Sequence, residues 1–115
     1  MADKREITRH KKRLSIRFGV GQANRVAFTE DISRTGMFIK SPNVVPPNSK
    51  IVIEFELENL GKVVLEARVV WAKKVPQNLF HLVKKSGMGV HFLRFVEGET
   101  FFQDYCQELS KLRNS

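Results

Sequence analysis

IVIEFELENLGKVVLEARVVWAKK, residues 51–74, has the clearest structural pattern in this 115-residue chain. Its first half alternates between an apolar face and an acidic face, made of Ile51, Ile53, Phe55 and Leu57 against Glu54, Glu56 and Glu58. After a turn at Asn59-Leu60-Gly61, the alternation resumes over Lys62–Lys74 with a second apolar face of Val63, Leu65, Ala67, Val69 and Trp71. Side chains of a strand point to two faces in turn, so the stretch predicts a long antiparallel hairpin with one buried side.

Further strands are predicted on both sides of this hairpin. Upstream they are Leu14–Val20, Arg25–Ile32 and Gly36–Lys40, of which the first two are joined by a turn at Gly19–Asn24. Ser41–Ser49 is predicted to be a loop, because its prolines cannot donate hydrogen bonds to a sheet. Downstream, a break at Pro76–Asn78 precedes predicted strands at Leu79–Val83 and Met88–Phe95.

The C-terminal segment Glu97–Arg113 changes to the period of an amphipathic helix. Its apolar residues at helical spacing are Phe101, Tyr105, Leu109 and Leu112. Six or seven short antiparallel strands in so small a domain would leave open edges unless the sheet closes on itself. We therefore expect an all-β fold, a closed antiparallel barrel with the helix covering one mouth.

Composition and charge limit the class of protein. A chain of this length with 42% hydrophobic residues forms one small domain. We expect it to be cytoplasmic, because it has no apolar run long enough to span a bilayer and no signal peptide, and its single cysteine, Cys106, cannot form an internal disulfide. Residues 1–17 hold seven basic and two acidic residues, a net +5 out of the total of +8, which points to an acidic partner.

Two short constellations predict a site for phosphate and guanine. Arg9 and Arg13 are four residues apart, and an arginine fork can grip a phosphate or the O6 and N7 edge of guanine through two hydrogen bonds. Asp31, Ser33 and Gly36 follow: a carboxylate accepts from guanine N1 and N2, a hydroxyl donates, and glycine lets a ligand approach the backbone. Each residue also has a plainer explanation, since a surface arginine is usually solvated and an Asp-x-Ser-x-x-Gly run can simply form a turn.

In these residues the chain resembles the PilZ domains, bacterial receptors for cyclic di-GMP. Arg9 and Arg13 fit the family's Arg-x-x-x-Arg signature, and Asp31, Ser33 and Gly36 fit its Asp/Asn-x-Ser-x-x-Gly signature. Met37-Phe38-Ile39 is similar to the apolar strand that follows, and Gly87–Phe92 to the Gly-Val-x-Phe strand near the family's C-terminal end. The resemblance implies a six-stranded antiparallel barrel over residues 14–115, with a C-terminal helix.

The resemblance also implies a mechanism. The basic segment of residues 1–13 is expected to be mobile without ligand and to fold over cyclic di-GMP, with Arg9 and Arg13 on phosphate and guanine. Asp31 would take the donor edge of guanine, Ser33 would contact phosphate or guanine, and Gly36 would permit the turn. Many family members have an arginine at the position of Thr8; Arg5 is an auxiliary candidate in its place, which leaves open whether one dinucleotide or a stacked pair binds.

Two alternatives from other classes remain at this point. One is a general nucleic-acid-binding barrel that uses the basic segment and exposed aromatic residues, although we favour a defined dianionic ligand. The other is an adaptor that has a PilZ-like fold but does not bind the dinucleotide. In either receptor or adaptor, a downstream protein partner is needed to convert binding into an effect.

We expect no enzyme activity, no metal and no cofactor. The histidines His10, His81 and His91 are scattered, and no cluster has metal-ligand spacing. Cys106 has no base close to it in sequence, and Ser33 lacks the flanking glycines of a nucleophile elbow. Trp71 and the nine phenylalanines are assigned to the core.

Overall fold

The structure, a computed structural model, describes residues 8–57, 60–75, 78–79 and 86–113, with the side chains of residues 112 and 113 excepted. Its elements are β1 His10–Lys11, β2 Ser15–Gly19, β3 Arg25–Ile32, β4 Gly36–Lys40, β5 Lys50–Leu57, β6 Gly61–Lys73, β7 Gly87–Glu97 and α1 Glu99–Arg113. Some predicted features lie wholly or partly outside the described residues: Arg5, His81, Asn59 in the hairpin turn, the start of the Pro76–Asn78 break and nearly all of the predicted strand Leu79–Val83.

The strands form one closed antiparallel barrel. The order along the sheet is β1-β3-β2-β5-β6-β7-β4, and pairing of β3 with β4 closes six strands into a ring with β1 as an extra strand on β3. This confirms the predicted all-β barrel with a C-terminal helix. Closure satisfies the backbone groups that an open sheet of this size would leave at two long edges.

The β5–β6 hairpin forms as the alternation of its residues predicts. Ile51 pairs with Ala67 and Leu57 with Gly61, in a regular ladder. The inward-facing side chains of both strands are buried in the central core: Ile51, Ile53, Phe55, Leu57, Val63, Leu65, Ala67 and Val69. These residues bury the apolar area that stabilises the barrel.

Trp71 departs from the predicted face of β6. The pairing of β6 with β7 shifts register between Val69 and Trp71, so that Val69 opposes Val90 and Trp71 opposes the adjacent Gly89. A β-bulge places one extra residue in one strand and changes which face the following side chains occupy. Trp71 is therefore 39% exposed on the outside of the barrel, and its assignment to the core was wrong.

The described part of the basic segment lies against β3. His10 pairs with Ile32 and Lys11 with Asp31, and His10 is buried. The Thr29 hydroxyl of β3 then holds the link between β1 and β2: it donates to the carbonyl of residue 12 at 2.6 Å and accepts from the Leu14 amide at 2.8 Å. The mobility of residues 1–13 without ligand stays a prediction.

Helix α1 begins two residues later than predicted, and its most buried residues lie beside the predicted apolar face. Phe102 and Cys106 are 0% and 1% exposed, whereas Phe101, which was predicted to face inward, is 41% exposed. Phe102 lies in a cluster of rings with Phe55, Phe92 and Phe95, at centroid distances of 5.5 to 5.9 Å. The helical period was correct, and Tyr105 and Leu109 of the predicted face pack partly buried against the core. Phe101 was placed wrongly, because it is adjacent to Phe102 and packing selects the second ring. Over the described residues, no helix is long and apolar enough to cross a membrane.

Candidate functional site

An open pocket of about 370 Å³ lies on the outside of the barrel, across β3, β4, β7 and β6. We call it the outer pocket. Its lining includes Arg9, Asp31, Gly36, Phe38, Trp71 and His91. Arg9 reaches it from the segment before β1, whereas the other side chains project from strands of the closed sheet. The outer pocket therefore combines one residue of the basic segment with a rigid platform.

Arg9 and Asp31 meet in the outer pocket. The Arg9 Nη2 atom lies 3.0 Å from Asp31 Oδ1, and the two side chains are 49% and 18% exposed. The contact is an ion pair without hydrogen-bond geometry, and Asp31 Oδ1 is enclosed yet accepts no hydrogen bond from the described residues. A ligand that donates to Oδ1 would give it the hydrogen bond that it lacks, and because the atom is enclosed, such a ligand reaches it only by displacing a neighbour such as Arg9.

Ser33 lies beneath the site and holds the β3–β4 turn. Its hydroxyl accepts hydrogen bonds from the amides of Thr35 and Gly36, at 3.2 and 3.1 Å, and donates to the Gly36 carbonyl at 3.3 Å. The side chain is fully buried and is not among the residues that line the outer pocket. This is the turn-forming role that such a run can have, and it positions Asp31 and Gly36 on the two neighbouring strands.

Two glycines let strands and rings come close together. A Cβ atom on Gly36 would overlap the Val90 carbonyl oxygen of β7, and one on Gly89 would overlap the Trp71 indole. Gly36 does not adopt a positive φ angle, so its need for glycine comes from this close approach and not from backbone conformation. Gly89 in turn makes room for the indole on the outer surface.

Trp71 forms an aromatic wall of the outer pocket. Its ring stacks on that of Phe38, with centroids 5.2 Å apart and an interplanar angle of 26°. The indole covers the Phe38 ring, which is 3% exposed, while the Trp71 side of the stack remains accessible to solvent. An exposed ring that is already held in place can stack on a nucleobase with little loss of side-chain entropy.

Arg13 lies outside the outer pocket. Its guanidinium carbon is 4.0 Å from the centroid of the Phe28 ring, a cation–π contact, in a neighbouring cavity of about 690 Å³. The two cavities adjoin along β4, since Phe38 lines one and Lys40, two residues further on the same face, lines the other. Of the five predicted site residues, the structure brings Arg9, Asp31 and Gly36 together in one pocket, with Ser33 beneath it and Arg13 beside it.

The PilZ domain family matches residues 3–107 of the chain. The chain belongs to this family. PilZ domains are receptor and adaptor domains of the cyclic di-GMP type and not enzymes. The match covers both signatures and the strands that carry them, and all residues that line the outer pocket lie within it.

The fold of this PilZ domain is similar to that of a solved structure, Bacillus subtilis inhibitor of motility (MotI/DgrA). The two share 15% of their residues and superpose with a TM-score of 0.72 over 99% of this chain. The chain spans about half, 54%, of the length of that protein, so the likeness concerns the fold alone. No curated protein matches the chain in sequence.

Trp71 is the main residue of the PilZ domain pocket that sequence analysis missed. The alternation of β6 assigned it to the core, and only the bulge after Val69 turns it outward. A signal was present in Gly89, since a glycine within a strand often marks the close approach of another group. That signal identifies neither the partner strand nor the ring, because the register that joins Gly89 to Trp71 is a long-range feature.

The single thiol of this PilZ domain, Cys106, is buried and is not among the residues that line the outer pocket. Burial raises the pKa of the Cys106 thiol from 9.0 to about 11, an effect that the charge of Arg34 opposes in part. A thiol with so high a pKa is a poor nucleophile at neutral pH. Among the described residues, no three His, Cys, Asp or Glu side chains are close enough to hold a metal ion.

Proposed function

We propose that the protein is a cyclic di-GMP receptor that binds the dinucleotide in the outer pocket and signals to a protein partner. The observation that carries this proposal is the Arg9–Asp31 ion pair beside the exposed Trp71 ring in a PilZ domain. The pocket thus offers a cation for phosphate, an acceptor for guanine and a ring for the base. A guanine nucleotide can bind all three, through its phosphate, its N1 and N2 hydrogens and the face of its base.

Each residue then has a role that its position supports. Asp31 accepts hydrogen bonds from guanine N1 and N2, Trp71 stacks on the base, and Arg9 contacts phosphate or the guanine edge. Gly36 allows the close approach of β4 to β7 that shapes the pocket. Ser33 acts through the turn, by holding Asp31 in place.

Binding replaces one ion pair by two stronger interactions. The Arg9–Asp31 pair is half exposed on the arginine side, and such surface pairs contribute about 0–1 kcal/mol. Hydrogen bonds to charged groups contribute about 1.5–3 kcal/mol each, and arginine–phosphate contacts are often bidentate. The exchange therefore favours the ligand, and it connects the basic segment to the bound ligand through Arg9.

The proposed output is a change in the basic segment that a partner protein recognises. Arg9 and Arg13 lie on either side of β1, so a ligand held by both would fix the segment across the face of β3. The change in order would present a different surface from that of the free protein. An adaptor of this kind needs no catalytic group.

Calorimetric titration with cyclic di-GMP tests the proposal. We expect saturable binding to the wild-type protein and a ten- to hundredfold weaker affinity for Arg9→Ala, which corresponds to about 1–3 kcal/mol. Arg94→Ala is the matched control, since Arg94 is also a surface arginine in an ion pair, with Glu66, but lies outside the pocket. The same titration gives the stoichiometry and so separates one bound dinucleotide from a stacked pair.

Cyclic di-AMP and a single-stranded oligonucleotide serve as ligand controls. Cyclic di-AMP keeps both phosphates but lacks the donors that Asp31 would accept, so it should bind more weakly. Absence of binding by cyclic di-GMP, or equal binding of all three ligands with a steep dependence on salt, would contradict the receptor proposal.

A further inference from the structure

A basic groove lies beside the outer pocket, between the N-terminal segment and β4. We use this name for the cavity of about 690 Å³ whose lining includes Lys11, Lys12, Arg13, Val26, Phe28, Glu30, Lys40 and Pro42. Val26 and Phe28 form its floor and are 67% and 38% exposed. Its volume lies within the range of cavities that hold ligands and side chains of partners.

The lining of the groove has a large excess of positive charge. Three consecutive cations form one wall and Lys40 stands on the other side, whereas Glu30 is the one acidic residue in the lining. Lys11 and Lys12 are exposed and make no ion pair with any residue that the structure describes. By contrast, four surface cations on β2, β5, β6 and β7 are in ion pairs: Arg17 and Lys62 with Glu54, and Lys50 and Arg94 with Glu66.

We propose that the basic groove is a docking site for an acidic segment of a partner protein, with one apolar side chain between carboxylates. The carboxylates complement the cations of the two walls, and the apolar side chain covers the floor of Val26 and Phe28. The floor favours a peptide over a row of bases, since it holds a single aromatic ring among aliphatic surfaces. One ring can anchor one side chain, but it cannot stack successive bases.

Arg13 couples the groove to the outer pocket, and this step rests on the proposed function. In the free protein its guanidinium covers the Phe28 ring at 4.0 Å. An exposed cation–π contact is weaker than a bidentate arginine–phosphate contact, so a bound dinucleotide would attract Arg13 away from the ring. Phe28 would then be free for the partner's apolar side chain, and ligand binding would strengthen docking.

The test measures fluorescence anisotropy of a labelled peptide of twelve residues, rich in glutamate and with one central phenylalanine. The wild-type protein should bind it saturably, and Lys12→Glu and Phe28→Ala should each weaken binding by about tenfold. Matched controls are Lys111→Glu and Phe101→Ala, which change a similar surface lysine and an equally exposed ring on α1, outside the groove. Both controls should bind as the wild type does, and melting temperatures establish that all variants are folded.

Two control peptides distinguish the contribution of charge to binding from that of the apolar side chain. One has lysine in place of glutamate, and the other is all glutamate without the phenylalanine. The first should not bind and the second should bind several-fold more weakly. Absence of saturable binding, equal losses in the groove and control variants, or tighter binding of a single-stranded oligonucleotide than of the peptide would overturn the proposal.

Addition of saturating cyclic di-GMP tests the coupling. At a dinucleotide concentration that saturates the wild type but leaves Arg9→Ala mostly unoccupied, we expect the peptide affinity to rise several-fold in the wild type and to change little in Arg9→Ala. Peptide binding in the absence of dinucleotide reports on the groove alone, and calorimetry with the dinucleotide reports on the receptor function alone. The two proposals can therefore fail separately.

Discussion

Replacement of Trp71 by alanine should weaken the binding of cyclic di-GMP by about thirtyfold. Stacking of a base on an aromatic side chain contributes about 1–3 kcal/mol, and a central value of about 2 kcal/mol corresponds to that factor. The structure supports the central value: the indole is already fixed on Phe38 and 39% exposed, so binding orders little that was free. Trp71→Phe retains a ring at this position and should lose less than about fivefold.

The assay has two independent signals. Calorimetry gives the affinity of each variant, and Trp71 is the only tryptophan of the chain, so its emission in the wild type reports directly on the pocket. A stacked guanine should quench that emission, and the titration midpoint should agree with calorimetry. Trp71→Ala also uncovers Phe38 and loses a ring contact of about 0.5–1.5 kcal/mol, so binding is measured well below the melting temperature of the variant.

A clear result would refute this account of the pocket. If Trp71→Ala binds as tightly as the wild type and the wild-type emission does not change at saturation, the base does not lie on the indole. The ligand would then have to bind through Arg9 and Asp31 alone or at another place.

Three further predictions concern the framework of the site. Gly36→Ala should lower the free energy of unfolding by about 1–3 kcal/mol, because its methyl group would overlap the Val90 carbonyl. Urea denaturation measures this change. An unchanged midpoint would mean that β7 shifts to accommodate the methyl group without loss of stability. Thr29→Val should destabilise the protein by about 1–2 kcal/mol and speed hydrogen exchange at the Leu14 amide, because two hydrogen bonds are lost. Equal exchange rates in the two proteins would show that this hydroxyl does not hold the link between β1 and β2. Burial raises the folded-state pKa of Cys106 from 9.0 to about 11, so the contribution of the protonated thiol to the free energy of unfolding is complete below about pH 9 and is lost as the pH rises to 11. The melting temperature should therefore fall more steeply over that interval in the wild type than in Cys106→Ala. Parallel curves for the two proteins would contradict the burial effect.

Local patterns predicted most of the elements. The strand limits Arg25–Ile32 and Gly36–Lys40 agree with the structure residue for residue, and the β5–β6 hairpin agrees to within one residue at each described end. These strands bury one face and expose the other, so their sequence shows the period of two directly. Helix α1 also follows its period, but Phe101 and Phe102 are neighbours, and the choice between them depends on the rings of β5 and β7 that only the fold brings near.

The candidate site was predictable in its signatures and not in its geometry. Arg9, Asp31 and Gly36 meet in one pocket as their spacing suggested, whereas Ser33 is used inside the turn and Arg13 rests on Phe28. Nothing in the local sequence distinguishes a hydroxyl that faces a ligand from one that holds a turn. Both arrangements use the same residue types at the same spacing.

Residues close together along the chain specify the strand periods, the basic segment and the two signatures, so these features can be read from the sequence alone. Closure of the barrel could be inferred from the number of strands, but which strands pair and which surfaces their residues share depends on the folded chain. The bulge in β6 turns Trp71 outward, the register of β4 and β7 places Gly36 against Val90, and β1 carries Arg9 to Asp31. These are pairings between distant segments, and a shift of one residue in any of them would move a side chain to the opposite face of the barrel.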